Sequence, residues 1–547
     1  MLSRRNRGAD DRRSSSADRP HKTMVCPTAW LILIVAAPAF AQNAFIRPAA
    51  TSFDCAAGGT VLNAITGEPI ARARVGVQAG EGAYSTATDA SGRWALTGMA
   101  CVTAAMQVTR PGFLQNVPNG RAGGAFRALP LVSGSPVRDL KTELIPQSVA
   151  FGRVLDDQGD PVMGAQVTVF GSRVVDGRSR FQQAGTGTTN DLGDYRIANL
   201  PRGRYIVCAH VNQQNGPVQA APQTIPADTC YPGPLEGGAA SATELSAGRE
   251  AKIDFTMNQV LPVHVRGVIT GLPEGRGSGI NLVKRGLNSD IGISLPGNVR
   301  DGKFDFRVPP GPYMLTADYF EAGKRLTARV PIDAGSSDID NVVVHLDAGF
   351  TVTGTVQAVS QSGQAAPPQF AINLRPSEPV NGTGQLKWDA DRKSFAINDM
   401  VPGSYRLDVF PPAPFYVKSA TLAGQDIVNN EIPISQPAGP IEVVLRDDGG
   451  SVEGDVVDAS GQPVAGGILL LRGTVRAANG ASQANGHFRI PNVAPGDYTI
   501  YAWDEPNDVE YADTDWMRRN AGGGISVTVT AGQNQQVKLT EQRVPAL

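Results

Sequence analysis

An aromatic residue, a short apolar hinge and then Gly-x-Tyr recur along this 547-residue chain: Tyr195 to Tyr205, Phe304 to Tyr313, Phe395 to Tyr405 and Phe488 to Tyr498. The aromatic precedes the glycine by eight residues in three copies and by seven in the other. Such a period implies one small β-unit built again and again, not one large catalytic domain.

Each copy also carries a front half and a tail. Phe151 to Phe170 alternates apolar and polar residues on both sides of Gly159 and Pro161, which reads as two strands around a tight turn. Val452 to Leu471 repeats it closely, and Gly67-Glu-Pro69, Gly159-Asp-Pro161 and Gly461-Gln-Pro463 set the same turn. A late strand closes the copies, at Ala251 to Met257, Val342 to Leu346, Ile441 to Leu445 and Val537 to Leu539. With Gly59, Gly152, Arg266, Gly354 and Gly454 marking the first strands, the spacing is roughly one hundred residues, the size of one sandwich domain. The boundaries so predicted are 52–146, 147–258, 259–348, 349–447 and 448–543, with short joints near Gln147, Asn258, Gly349 and Asp447 to Gly450 that imply a semi-rigid string. The first copy is the most divergent: Cys101 and its neighbours stand where Pro-x-Gly-x-Tyr is expected.

Two alternate residues of a strand share a face, so Tyr205 with Val207, and Tyr498 with Ile500, are expected on the core side. The recurring tyrosine is first a packing residue and second a ligand platform, and its hydroxyl must reach a partner or water.

Residues 1–41 read as a signal peptide. A basic, serine-rich stretch leads to the apolar run Trp30 to Ala41, and Ala39-Phe-Ala41 has the small-residue spacing of a cleavage site. The run is short for a membrane span, so no integral membrane segment is expected after the leader. Removing it takes away seven basic and three acidic side chains, and the formal charge falls from −2 to about −6. Nothing in that balance invites nucleic acid. Four cysteines remain, Cys55 and Cys101 in the first unit and Cys208 and Cys230 in the second. An even count, two per unit, in an exported chain suggests two disulfides within units, while no Cys-x-x-Cys or Cys/His cluster supports metal or redox chemistry. The expected destination is the periplasm, the outer cell surface or the extracellular space.

No sequence signature of a catalytic, cofactor or metal site is found. His210, His264, His345 and His487 are scattered, outside any zinc-peptidase spacing. A nucleophile elbow, a phosphate-binding loop and a strand-linked dinucleotide loop are all absent from the sequence. Asp156, Asp157 and Asp160, Asn190, Asp191 and Asp194, and Asp338 and Asp340 form oxygen-rich turns that suit calcium or simply bond their own backbone. The acidic stretch Asp504 to Asp515 gathers Trp503, Tyr511 and Trp516, which read either as ligand-contact aromatics for a sugar ring or as a loop covering a sandwich end.

The pattern Gly-x-Val…Gly-x-Pro-Val-x-Gly-Ala-x-Val…Thr-Asn-Asp-x-Gly-x-Tyr…Leu-Pro-x-Gly-x-Tyr, clearest from Gly152 to Tyr205 and again from Gly454 to Tyr498, resembles the carboxypeptidase regulatory-like family. The resemblance implies an all-β fold, a tandem array of about five small seven-stranded antiparallel β-sandwich domains of the transthyretin (prealbumin) kind. The family motif is structural and carries no catalytic residue. The expectation is therefore a non-enzyme of the cell envelope, acting in adhesion, assembly or ligand binding through its loops, with envelope proteins or polysaccharide as partners. The alternative is a carbohydrate-binding protein for extracellular polysaccharide, and a third reading is a hydrolase with an unfamiliar site.

Overall fold

Period-2 patterning becomes strand almost throughout. The computed structural model describes residues 53–115, 126–211, 224–232, 242–272, 276, 278–285, 294–297, 302–321, 324–360, 363–365, 368–377 and 384–545; the leader assigned to 1–41 lies outside them. Ten sheets form, with one α-helix, Thr514–Asn520, among the described residues. The arrangement is that of a tandem array of small β-sandwiches.

One plan repeats five times. The first strand of each copy lies between the aromatic-bearing strand and the last strand: Cys55–Asn63 between Arg93–Met99 and Val137–Pro146, Val263–Thr270 between Lys303–Val308 and Ile339–His345, and Phe350–Ser360 between Ser394–Met400 and Ala438–Arg446. The same holds for Ser148–Asp156 and for Gly450–Val457. The aromatic strand pairs antiparallel, but the last strand pairs parallel with the first in every copy. Facing this sheet is a second one, in which the second strand pairs with the strand that carries the repeated tyrosine, as Gly467–Arg472 does with Gly496–Trp503. Apolar residues of the two inner faces form five core clusters, one per copy, for example Val265, Phe304, Phe306, Tyr313, Leu315 and Val344.

Two repeated residues explain why the pattern persists. A Cβ on Gly59, Gly152, Gly267 or Gly454 would lie 2.0, 1.9, 2.0 or 1.8 Å from a carbonyl oxygen of the last strand. That close backbone approach demands glycine. In the third copy the residue in this place is Gly267, which corrects the marker assigned to Arg266; only the residue without a side chain fits against the Val342 carbonyl. The tyrosines form the second device. Tyr205, Tyr313, Tyr405 and Tyr498 each donate a hydroxyl hydrogen bond to the carbonyl four residues back, on Pro201, Pro309, Val401 and Ala494, at 2.5, 2.7, 2.7 and 2.6 Å. Each bond closes the hinge between the two sheets and satisfies a hydroxyl that burial would otherwise leave unpaired.

In the first copy a disulfide occupies that junction. Cys101, between strands Arg93–Met99 and Thr103–Thr109, is bonded to Cys55 on the first strand. Cys208 and Cys230 are bonded across the paired strands Gly203–His210 and Thr229–Tyr231. Closing loops of 46 and 22 residues corresponds to about 4 and about 3.5 kcal/mol of lost unfolded-chain entropy.

The copies do not form a loose string. Residues 51–547 make one contact unit, and the second copy returns to the fourth and fifth. Asp176, in the turn between Gln166–Val175 and Arg178–Thr188, pairs with Arg375 at 2.9 Å, and Arg202 pairs with Glu505 at 2.5 Å. The Ala512 N–H donates to the Gly177 carbonyl at 2.9 Å. Short joints alone do not set this geometry; complementary surfaces far apart in sequence do.

Candidate functional site

The acidic stretch after Trp503 is the anchor of that docking. Trp503 is fully buried and Tyr511 nearly so, in a cluster with Leu469, Leu471 and Val509 on the outer face of the fifth copy's second sheet. The run Ile468 to Leu471 is buried on both faces for this reason. Asp513 caps the helix Thr514–Asn520 by accepting from the Asp515 and Trp516 N–H groups, and this sets the Trp516 ring 5.8 Å from that of Trp503. Apolar area buried under the loop that follows Trp503 and under the Gly177 turn outweighs any gain from leaving these rings in water.

The oxygen-rich turns have internal uses. Asp156 accepts from the Gln158 and Asp160 N–H groups, and Asn190 accepts from those of Leu192 and Asp194. Asp338 and Asp340 both hold Arg266 at 3.0 Å.

Sequence reasoning missed a buried ionic cluster between the second and third copies. His210 Nδ1 lies 2.6 Å from one Asp228 oxygen, and Lys284 Nζ lies 3.0 Å from the other. Asp228 is almost without exposed surface. Burial pushes its carboxyl up, but the bonds from His210 and Lys284 outweigh that and hold it below the usual value. No spacing in the chain links residues 210, 228 and 284; only the fold joins them.

A cleft of about 660 Å³ opens between the fourth and fifth copies, a size suited to a few sugar rings or a comparable small ligand. One wall comes from Gly403–Phe410, Tyr416–Leu422 and the end of Ala438–Arg446; the other comes from Arg472, the Val475–Ala481 strand and the hinge Asn492 to Tyr498. Its joint is close-packed, since a Cβ on Gly449 would meet the Asn492 backbone at 3.0 Å and the Tyr416 ring at 3.1 Å. On the floor, Arg446 grips Asp448 through two bonds of 2.9 and 2.6 Å, and the Tyr416 hydroxyl donates to the same carboxylate at 3.0 Å. Burial raises the Asp448 carboxyl, but Arg446 and Tyr416 more than offset it, so it stays below the ordinary value. Burial, then Asp448, pushes Tyr416 up to about 12. Lys418, Arg472 and Arg476 line the cleft as exposed cations. The cleft can therefore hold a polar ligand with hydrogen-bond acceptors between fixed walls.

Residues 57–127 match the carboxypeptidase regulatory-like domain. The match falls on the first copy, not on the second and fifth copies in which the motif reads most clearly. Residues 479–537 match domain II of polysaccharide lyase family 4. That segment contains the hinge Asn492 to Tyr498 and so forms part of the cleft wall. The expectation of a non-enzyme is corrected here: a domain from a polysaccharide lyase family points toward enzymatic activity and away from a purely non-catalytic protein.

No curated protein matches the chain. Solved structures similar to it include the Bacillus anthracis TIE protein, at 14% identity over 54% of this chain and 51% of that one, with a TM-score of 0.17. The chain therefore spans about half the length of that protein. A streptococcal ancillary pilin is 13% identical over 52% of this chain and 100% of its own, with a TM-score of 0.17. BcpA, the major pilin subunit of Bacillus cereus, is 13% identical over 73% and 99%, with a TM-score of 0.14. Likeness at these scores carries no functional argument. No helix among the described residues is long and apolar enough to cross a membrane.

Proposed function

We propose that this chain is an exported protein of the cell envelope or cell surface that engages extracellular polysaccharide, in the service of polysaccharide processing, through the cleft between its fourth and fifth sandwiches. One observation carries the reading: the segment that matches a polysaccharide lyase domain also supplies a wall of a polar cleft of ligand size. The carboxypeptidase regulatory-like match and the two disulfides support export, since such bonds persist in oxidising compartments. We take the five segments 52–146 to 448–543 as the sandwich units, the fourth and fifth of which frame the cleft. Envelope proteins as partners are part of the same proposal. Adhesion or assembly through sandwich loops has no comparable observation behind it.

The test is retention of the purified mature chain on a panel of immobilised polysaccharides, together with an assay for loss of viscosity and appearance of new chain ends in solution. Retention on at least one glycan is the expected result. Failure to bind or shorten any member of a broad panel would contradict the reading.

A further inference from the structure

The two disulfides differ in where they sit. Cys55 belongs to the core of the first copy. Cys208 lies outside the core of the second. Along Gly203–His210, Tyr205, Val207 and Ala209 face that core, whereas Ile206 and Cys208 join Phe170 and Phe181 in a separate cluster on the outer face of the sheet. The Cys208–Cys230 bond therefore fastens something laid over the sandwich, not the sandwich itself.

What it fastens is the segment 225–231, which lies along the joint between the second and third copies. Ile225–Pro226 pairs with Gln259–Val260, and the Ala227 N–H donates to the Asn258 carbonyl at 2.8 Å. At the other end, Thr229–Tyr231 pairs with Val207, Cys208 and Ala209 as an edge strand of three residues. Between these attachments stands the buried Asp228 side chain. It faces His210 at 2.6 Å, one residue beyond the ladder, and reaches Lys284 of the third copy at 3.0 Å. Lys284 ends the strand Gly279–Lys284 and stands opposite Tyr313. His210 Nε2 is buried with no hydrogen-bond partner among the described residues, so Asp228 orients the ring through Nδ1. An edge strand of three residues contributes few ladder bonds, and opening it costs far less than opening a core. The covalent bond at Cys230 is what holds Asp228, two residues before it, against the Lys284 amine.

We propose that residues 225–231 are a redox-set clasp between the second and third copies. Oxidation of Cys208 and Cys230 locks Asp228 onto Lys284 and fixes the third copy against the second; in the dithiol form the clasp is open. Closure runs by thiol–disulfide exchange with an oxidised dithiol protein. Cys208 is fully buried and Cys230 half-buried, so the Cys230 thiolate meets the oxidant first. It attacks one sulfur of the oxidant's disulfide, forms a mixed disulfide and releases one thiolate. The Cys208 thiolate then attacks the Cys230 sulfur and expels the second. The two cysteines lose two protons and two electrons, and the oxidant's disulfide becomes two thiols. The joint thus stays free in a reducing compartment and is set in an oxidising one.

Lysine acylation of the mature chain by the N-hydroxysuccinimide ester of acetic acid, read peptide by peptide in a mass spectrometer, tests this. Lys284 is expected to react at least about tenfold faster in the double variant Cys208→Ser, Cys230→Ser than in the wild type, with Lys418 and Lys538 unchanged. Asp228→Asn, which keeps the disulfide, should expose Lys284 by a similar factor. Adding it to the serine variant should change the rate by less than about twofold, because both changes open one clasp. Hydrogen exchange along Ser148–Asp156 and Val263–Thr270 should stay protected in the serine variant, since neither core contains the bond. An unchanged Lys284 rate in that variant overturns the clasp, as do effects of the two changes that multiply. Loss of protection along Ser148–Asp156 also overturns it, since the disulfide would then hold the second copy as a whole.

Discussion

The hydroxyl of each repeated tyrosine is worth more than its ring alone suggests, because its bond to the carbonyl four residues back is buried. Replacing Tyr313 by Phe keeps the packing but strands the Pro309 carbonyl, and chemical denaturation should show a loss of about 1–3 kcal/mol. Ionisation makes the same point. Burial raises the Tyr205 hydroxyl to about 12 from the ordinary tyrosine value of 10.0. A group with its folded pKa raised stabilises fully below its unfolded pKa, so this contribution persists to about pH 10 and then drains away as pH rises toward 12. Asp228 works at the other end. Its carboxyl is held below its ordinary 3.8, so its contribution is present above that value and disappears as pH falls beneath it. Removing the carboxylate outright leaves Lys284 and His210 buried without their partner. Asp228→Ala should therefore cost about 3–5 kcal/mol in the same denaturation experiment.

At the scale of strands and loops, the repeat was largely legible in the residues. Alternation located the strands, the Gly-x-Tyr motif located the hinge, and even cysteine counts pointed to the two disulfides that form, Cys55–Cys101 and Cys208–Cys230. What alternation could not give was a second buried face. Leu469, Leu471 and Trp503 face away from the sandwich core yet are covered, because the loop that follows Trp503 folds back over them. A loop's destination depends on surface complementarity with distant parts of the chain, which local pattern does not encode. The Arg266 marker failed for a related reason: which of two adjacent residues meets the Val342 carbonyl depends on the register of a parallel strand about seventy-five residues away. At this scale the divergent first copy offers a prediction. Replacing Cys55 and Cys101 by Ser should lower stability by about 2–5 kcal/mol, since no repeated tyrosine holds that hinge in their place. Calorimetry of the double variant, with a transition assigned to the first copy, checks it.

Across the whole molecule, the return of the second copy to the fourth and fifth separates this arrangement from beads on a string. Gly177 is the tightest point of that contact, where a Cβ would meet the Tyr511 ring at 2.5 Å. The substitution Gly177→Val should push the two copies apart while leaving each core intact, so small-angle scattering should report a larger radius of gyration with unchanged circular dichroism. The same docking explains why the candidate site was only partly legible. Arg472, Tyr498 and Asn492 lie within one repeat, but the opposite wall belongs to the preceding copy, and no motif spans the joint. The buried His210–Asp228–Lys284 cluster was illegible for the same reason. The proposed seat for polysaccharide lies between the fourth and fifth sandwiches. Hydrogen exchange on the mature chain, with and without a polysaccharide that retains it, reads this most directly. Slowed exchange concentrated in 472–478, 492–498 and 416–420 is the predicted result; protection confined to another part of the chain would contradict it.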